Sequence, residues 1–253
     1  MSVLFMVAML ALILMFLAIL LRKIQIADKQ LLEMSLEMKS DSVRNTLQGM
    51  KEVSSVISGR TAIREEFETF LANKISQEEF QSRYRIKIED SIKNLPNIIG
   101  ISRFTKNGRI AGFKGYEAPV NILRYAMEQN INFIPIETEN GIKAVAALSP
   151  IVSADNTFLG TDVIIFSEDS LKENPVNCYH GFQIYITLIA VIENGSVFDF
   201  SSSKHTDPYI SKNIKDTNLI KRNEKKFKII KIDKKDFTMI CRPVYSSKYV
   251  DFY

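Results

Sequence analysis

The chain has 253 residues, of which 46% are hydrophobic and 25% charged, enough for one or two domains and incompatible with a chain that is disordered throughout. Its net charge of +4 is uneven: residues 204–248 hold 13 Lys/Arg against 5 Asp/Glu, which leaves 20 against 24 elsewhere. Such a stretch is a solvated Lys-rich face or a face turned toward an anionic bilayer; with no recognition motif beside it, nucleic acid is not an expected partner.

The first element is "VLFMVAMLALILMFLAILL", residues 3–21, without a single charge. As a helix it reaches about 28 Å, enough to cross a hydrocarbon layer. It lacks the basic start and short apolar run of a cleaved signal, so an uncleaved transmembrane anchor is expected. Arg22 and Lys23 follow it and no Lys or Arg precedes it. By the positive-inside tendency that arrangement puts the bulk of the chain in the cytoplasm.

From residue 22 to about 95 there is no Pro, and the pattern is helical. Leu36, Val43, Met50 and Ile57 recur every seven residues, with Leu32, Leu47 and Val53 beside them. This stripe suits a partner helix or a domain face, although Ser40 and Ser54 at the companion position weaken a free-standing coiled coil. Gly59 is an expected break. Phe67, Phe70 and Leu71 form a second apolar patch, and "SQEE" (residues 76–79) reads as a capping box that opens a new helix running to about Lys93. Met34, Met38 and Met50 read as packing residues.

At Pro96 the pattern turns extended. "NIIGISRF" and "RIAGFKGY" flank Asn107-Gly108, the strongest short-range hairpin signal. "PVNILRYAMEQN" reads as a short crossing helix. "NFIPIETE", Asn140-Gly141, "IKAVAALSPIV", a turn at Asp155-Asn156 and "TFLGTDVIIFS" add three strands. Residues 97–167 therefore predict one five-stranded antiparallel sheet with helices on a face. The design then returns: "FTKNGRIAGF" is echoed by "VIENGSVFDF", and Pro150 by Pro243. An internal period is architectural, so a second sheet module is expected. After Pro243 only ten residues follow, so that module is expected to lack its fifth strand.

An anchor, a long helix and two such sheets resemble the double Cache (PAS-like) extracytoplasmic sensor domains of bacterial receptors. The segments that carry the resemblance are "NIIGISRFTKNGRIAGF", "AALSPIVSADNTFLGTDVIIFSEDSL" and "ICRPVYSSKYVDFY". The resemblance implies an α+β fold: a transmembrane helix at 3–21, a helical stalk at 22–95, a membrane-distal Cache module at 96–176, and a membrane-proximal, truncated module at 177–253. It implies small-molecule sensing for a histidine kinase, chemoreceptor or diguanylate cyclase type of receptor, with the bulk outside the cytoplasm of a bacterial membrane and a homodimer formed through the stalk. Binding residues in that family sit at the crossing helix and on the last strand. On the matching positions here the expected ligand site is Arg124, Tyr125, Tyr116, Asp162 and Ser149, with a carboxylate as the ligand group. The family's Trp is absent, and Ile165 stands where its acidic residue would be, Asp162 being the nearest acid.

Read by their own chemistry, Arg124 is either a bidentate carboxylate clamp or a surface arginine covering apolar area. Asp162 is either a ligand or metal contact or a strand-end residue reaching water. Cys178 and Cys241 lie in no metal-binding spacing and are either a disulfide or two separate thiols. His180 and His205 are isolated. No hydrolase, metalloprotease, P-loop or dinucleotide motif is present, so no catalytic residue and no cofactor are expected. The competing function is a membrane-anchored adaptor that works through its helical stripe.

Overall fold

A computed structural model describes residues 2–95, 97–126, 130–138, 140–171, 188–193, 197–200, 226–232, 235–241, 243–248 and 250–252. Helix α1 (Ser2–Ser58) carries the apolar segment and the stalk as one continuous rod, about 85 Å long at 1.5 Å per residue. Its first part is long and apolar enough to cross a membrane. The rod stops at Gly59, and the next residue, Arg60, is extended (φ −60°, ψ 115°). Helix α2 (Thr61–Leu71) and helix α3 (Gln77–Ile92) then fold back. The capping box forms as expected: Ser76 Oγ accepts the Glu79 N–H at 3.1 Å. Phe67, Phe70, Phe80 and Tyr84 pack the two helices together, with ring centroids 5.1–6.3 Å apart.

The first sheet comprises β1 (Ile98–Thr105), β2 (Ile110–Gly115), β3 (Asn132–Glu137), β4 (Lys143–Val152) and β5 (Phe158–Ser167), in the order β2-β1-β5-β4-β3 with the described pairs antiparallel. The hairpin turns lie where their chemistry demands. Gly108 and Gly141 adopt φ of 78° and 73°, and Asn156 takes φ of 64° in the β4–β5 turn. In the crossing between β2 and β3 the described residues form a 3-10 turn at Val120–Tyr125, following Pro119, rather than an α-helix.

The stripe on α1 is spent inside the molecule. Val43, Leu47, Met50 and Ile57 are buried with the sheet core. Ser40 and Ser54, poor residues for a coiled coil, are also buried and return their hydroxyls to Leu36 O and Met50 O at 2.7 Å. Small side chains there let the helix lie close to β4, where Ser149 Oγ reaches Ser54 O at 3.5 Å. Helix α3 covers the outer edge of β2. Gln81 pairs with both backbone groups of Phe113 at 2.8 Å, as a neighbouring strand would, and Gln77 Nε2 donates to Ile110 O. An edge strand is thereby closed without a sixth strand.

The second half repeats the pattern in shorter form: β6 (Ile189–Ile192), β7 (Val197–Asp199), β8 (Lys226–Ile232), β9 (Lys235–Cys241), β10 (Tyr245–Ser246) and β11 (Val250–Phe252). The four strands β10-β11-β6-β7 form one sheet, and β8 pairs with β9. One expectation needs correcting. The fifth strand is present: β11 lies between β10 and β6, as β5 lies between β4 and β1, and it begins at Val250, close to where the offset from Pro150 to Phe158 would put it. It is three residues long where β5 has ten. The Pro243-Val244-Tyr245 strand is accordingly paired rather than open. Asn194-Gly195, the second crossing (207–220), Cys178, His180 and His205 lie outside the described residues.

Candidate functional site

Residues directly opposite on neighbouring strands share a face of the sheet, and this separates the candidate residues into two groups. Ser102, Val163 and Leu148 are opposite one another across β1, β5 and β4. On that face Ser102 Oγ accepts the Ala118 N–H at 2.9 Å, which fastens the β2–β3 crossing there. The crossing buries Ile122 and Tyr125 and leaves Arg124 at the surface. The Arg124 guanidinium lies 4.6 Å from the Tyr125 ring centroid, and its Nη2 donates to Tyr125 Oη at 2.6 Å. Stacking on a ring holds the planar fork in place, which suits it to an incoming carboxylate. Tyr116, half-buried at the start of the crossing, donates its backbone N–H to Ile99 O at 3.0 Å. Buried Asn132, at the start of β3, ties off the end: its Nδ2 donates to Tyr125 O at 3.0 Å.

Asp162 and Ser149 stand on the opposite face, beneath the helices. Asp162 is opposite both Arg103 and Ser149 in register. Arg103 Nε and Nη2 donate to Asp162 Oδ1 and Oδ2 at 2.7 and 2.6 Å, a bidentate pair with both side chains 0% exposed. Arg103 Nη1 donates onward to Ile63 O at 3.2 Å, and the guanidinium lies 5.2 Å from the Phe67 ring and 5.5 Å from the Tyr84 ring. The charge is thus enclosed between the sheet and α2–α3. Burial opposes the charge on Arg103, but the Asp162 carboxylate and its hydrogen bonds lift the guanidinium above its ordinary value. Tyr84, fully buried beside the pair, is held well above the ordinary phenol value by burial first and by the Asp162 charge second. The adjacent Arg103 guanidinium offsets part of that rise, although the Tyr84 Oη has no well-formed hydrogen-bond partner.

The structure therefore sets Arg124 against Tyr125 on the crossing side, with Tyr116 at the start of the same segment, and places Asp162 and Ser149 on the helix side. Asp162 does not reach water. Arg103 is the residue sequence reasoning missed. The available signal was one unlike charge in each of two otherwise apolar strands, "IIGISRFT" in β1 and "TDVIIF" in β5, which a five-stranded sheet of this order makes neighbours. A hollow of about 200 Å³ opens elsewhere, between α1 and the end of the sheet, lined by Thr46, Gly49, Met50, Val53, Ile98 and Phe166. Among the described residues no group of three His, Cys, Asp or Glu side chains could hold a metal ion.

No family model matches the chain, and no curated protein matches it by sequence. Solved structures do match. The ligand-binding domain of the Pseudomonas fluorescens chemoreceptor CtaA in complex with L-alanine is similar at 11% identity and TM-score 0.52, covering 88% of this chain and 92% of that one. The same domain with L-serine gives 12% identity and TM-score 0.51, over 85% and 91%. The sensor domain of the Vibrio cholerae histidine kinase DctB reaches 13% identity and TM-score 0.47, over 74% and 75%. With its sheet order β2-β1-β5-β4-β3 and the long helix packed against β4 and β5, the chain has the Cache-type, PAS-like fold of bacterial sensor domains.

Proposed function

We infer that this chain is the small-molecule sensing part of a membrane-anchored bacterial receptor, with its sheets outside the cytoplasm. The observation that carries the reading is the crossing segment: a surface arginine stacked on a buried tyrosine, fastened at both ends to one face of a sheet whose other face is filled by helices. Such a site takes a small anion, and an α-amino carboxylate fits best. Arg124 holds the carboxylate, Tyr125 orients the guanidinium, and Tyr116 flanks the entrance. Asp162 and Ser149 serve the opposite face and are not ligand contacts in this reading. The CtaA domains that share the fold carry L-alanine and L-serine, which supports the same ligand class. The apolar start of α1 supplies the membrane anchor, and residues 22–38 of α1, where Met34 and Met38 are exposed, pair with a second copy. The adaptor alternative required a free apolar stripe, whereas Val43, Leu47, Met50 and Ile57 are buried.

The test is thermal unfolding of the full chain in nanodiscs against a panel of L-amino acids and short carboxylates. At least one compound is expected to raise the melting temperature of the wild type and to leave Arg124→Ala unmoved. The reading is overturned by a panel without effect, or by stabilisation that survives in Arg124→Ala undiminished.

A further inference from the structure

Asn132 is 0% exposed, yet it carries a primary amide. A buried amide is retained only where its bonds are made. Here each end of the amide serves a different part of the molecule. Nδ2 takes the carbonyl of Tyr125, the last residue of the crossing turn. Oδ1 accepts the N–H of Phe133 at 3.0 Å and the hydroxyl of Tyr245 at 3.4 Å. Tyr245 belongs to β10, in the second sheet. Its ring meets the Phe133 ring edge-on at 5.3 Å and the Phe252 ring edge-on at 5.9 Å, and Phe252 stacks on Phe200 at 6.1 Å. Phe133 and Asn132 point to opposite faces of β3, the edge strand of the first sheet, so Tyr245 stands at that edge and touches both. Burial holds the phenol of this half-buried residue above the ordinary value, offset in part by Ser247 and the Phe133 backbone.

We propose that Asn132 is a positioning residue that sets the end of the Arg124–Tyr125 segment and, through Tyr245, joins its conformation to that of the second sheet. The proposal rests on the sensing role assigned to that segment. A ligand that draws Arg124 and Tyr125 into one arrangement moves the Tyr125 carbonyl. The carbonyl moves the amide, and the amide either tightens or releases the long Tyr245 contact. Coupling of this kind is reciprocal, so a change at Tyr245 must be felt at the crossing. The chain needs no ligand for that half of the argument to be read.

The measurement is hydrogen exchange on the full chain in nanodiscs, following the crossing (120–126, including the Ala126 N–H bonded to Leu123 O) and the β10–β11 segment (243–252, including the Val244 N–H bonded to Phe252 O). Tyr245→Phe keeps the ring contacts and removes the hydroxyl. It is expected to speed exchange in the crossing about threefold or more, the scale of one lost hydrogen bond, while β1 and β5 stay unchanged. Asn132→Leu, similar in size, should speed both segments. If Asn132→Leu loosens the whole sheet, Tyr245→Phe decides alone. Unchanged exchange in the crossing of Tyr245→Phe overturns the proposal. Any compound of the panel above that protects the crossing should protect 243–252 in the wild type and not in Tyr245→Phe; protection of both in that variant also overturns it. A panel with no binder defeats the sensing role, whereas the ligand-free comparison still decides the coupling.

Discussion

Arg103 and Asp162, 59 positions apart in sequence, form a bidentate ion pair at 2.7 and 2.6 Å that is closed off from solvent on both sides. Removing either partner strands a buried charge, whereas removing both leaves none. Asp162→Ala should therefore cost about 3–5 kcal/mol of unfolding free energy, and Arg103→Met with Asp162→Leu should come out near neutral or better. Denaturant unfolding of the three chains checks this. A double variant as weak as the single one would show that the pair holds α2 onto the sheet by its charge rather than by filling space.

Tyr84 offers a pH signature beside that pair. Its phenol ionises well above the ordinary value because burial and the Asp162 carboxylate both disfavour phenolate. In the unfolded chain it ionises near 10. Between those two values the unfolded state releases a proton that the folded state keeps, so stability present below about pH 10 falls as pH rises through this range. Tyr84→Phe should flatten that fall. It should also change stability at neutral pH by no more than about 1 kcal/mol, since the hydroxyl it removes is buried without a well-formed hydrogen bond. Unfolding at pH 8 and above pH 10, with tyrosinate absorbance followed on the folded chain, reads both effects.

Gly160 marks where β5 passes β1 most closely. A Cβ there would lie 2.0 Å from Phe104 O, which is backbone and cannot swing away. Gly160→Ala should force the strands apart two residues from Asp162 and destabilise by about 1–3 kcal/mol or more. Weakened protection of the β1–β5 ladder in hydrogen exchange would accompany it, and a neutral substitution would mean that the strands yield without cost.

The elements governed by local chemistry were legible. The Asn107-Gly108 and Asn140-Gly141 turns, the Ser76 cap and the break at Gly59 depend on residues within a few positions of one another, and these formed where expected. The stripe on α1 was legible as a stripe, but its partner was not, because the serines that spoil a coiled coil are the residues that admit a sheet. The candidate site divided because face assignment needs register. The resemblance groups Asp162 and Ser149 with Tyr125 in one site, yet the alternation along β4 and β5 turns them beneath the helices. Arg103 stayed hidden for the same reason: a lone arginine in a strand reads as solvated until its neighbour across the ladder is known. The short fifth strand β11 was missed because the ten residues after Pro243 were held against the full length of β5, whereas three residues suffice to pair with β10 and β6.

Topology is the point at which two physical signals disagree. Arg22 and Lys23 follow the apolar segment and none precede it, which favours a cytoplasmic bulk. A receptor that reads its surroundings needs its crossing segment on the other side. Lys106, exposed in the β1–β2 turn, gives a handle outside both the Arg124–Tyr125 stack and the buried pair. With Cys178 and Cys241 replaced by serine, Lys106→Cys is the sole thiol, since those are the two cysteines of the chain. A membrane-impermeant maleimide should label it in intact cells with the outer barrier permeabilised. Labelling that appears only after the cytoplasmic membrane is broken would place the sheets inside, and the sensed molecule would then have to be a cytoplasmic one.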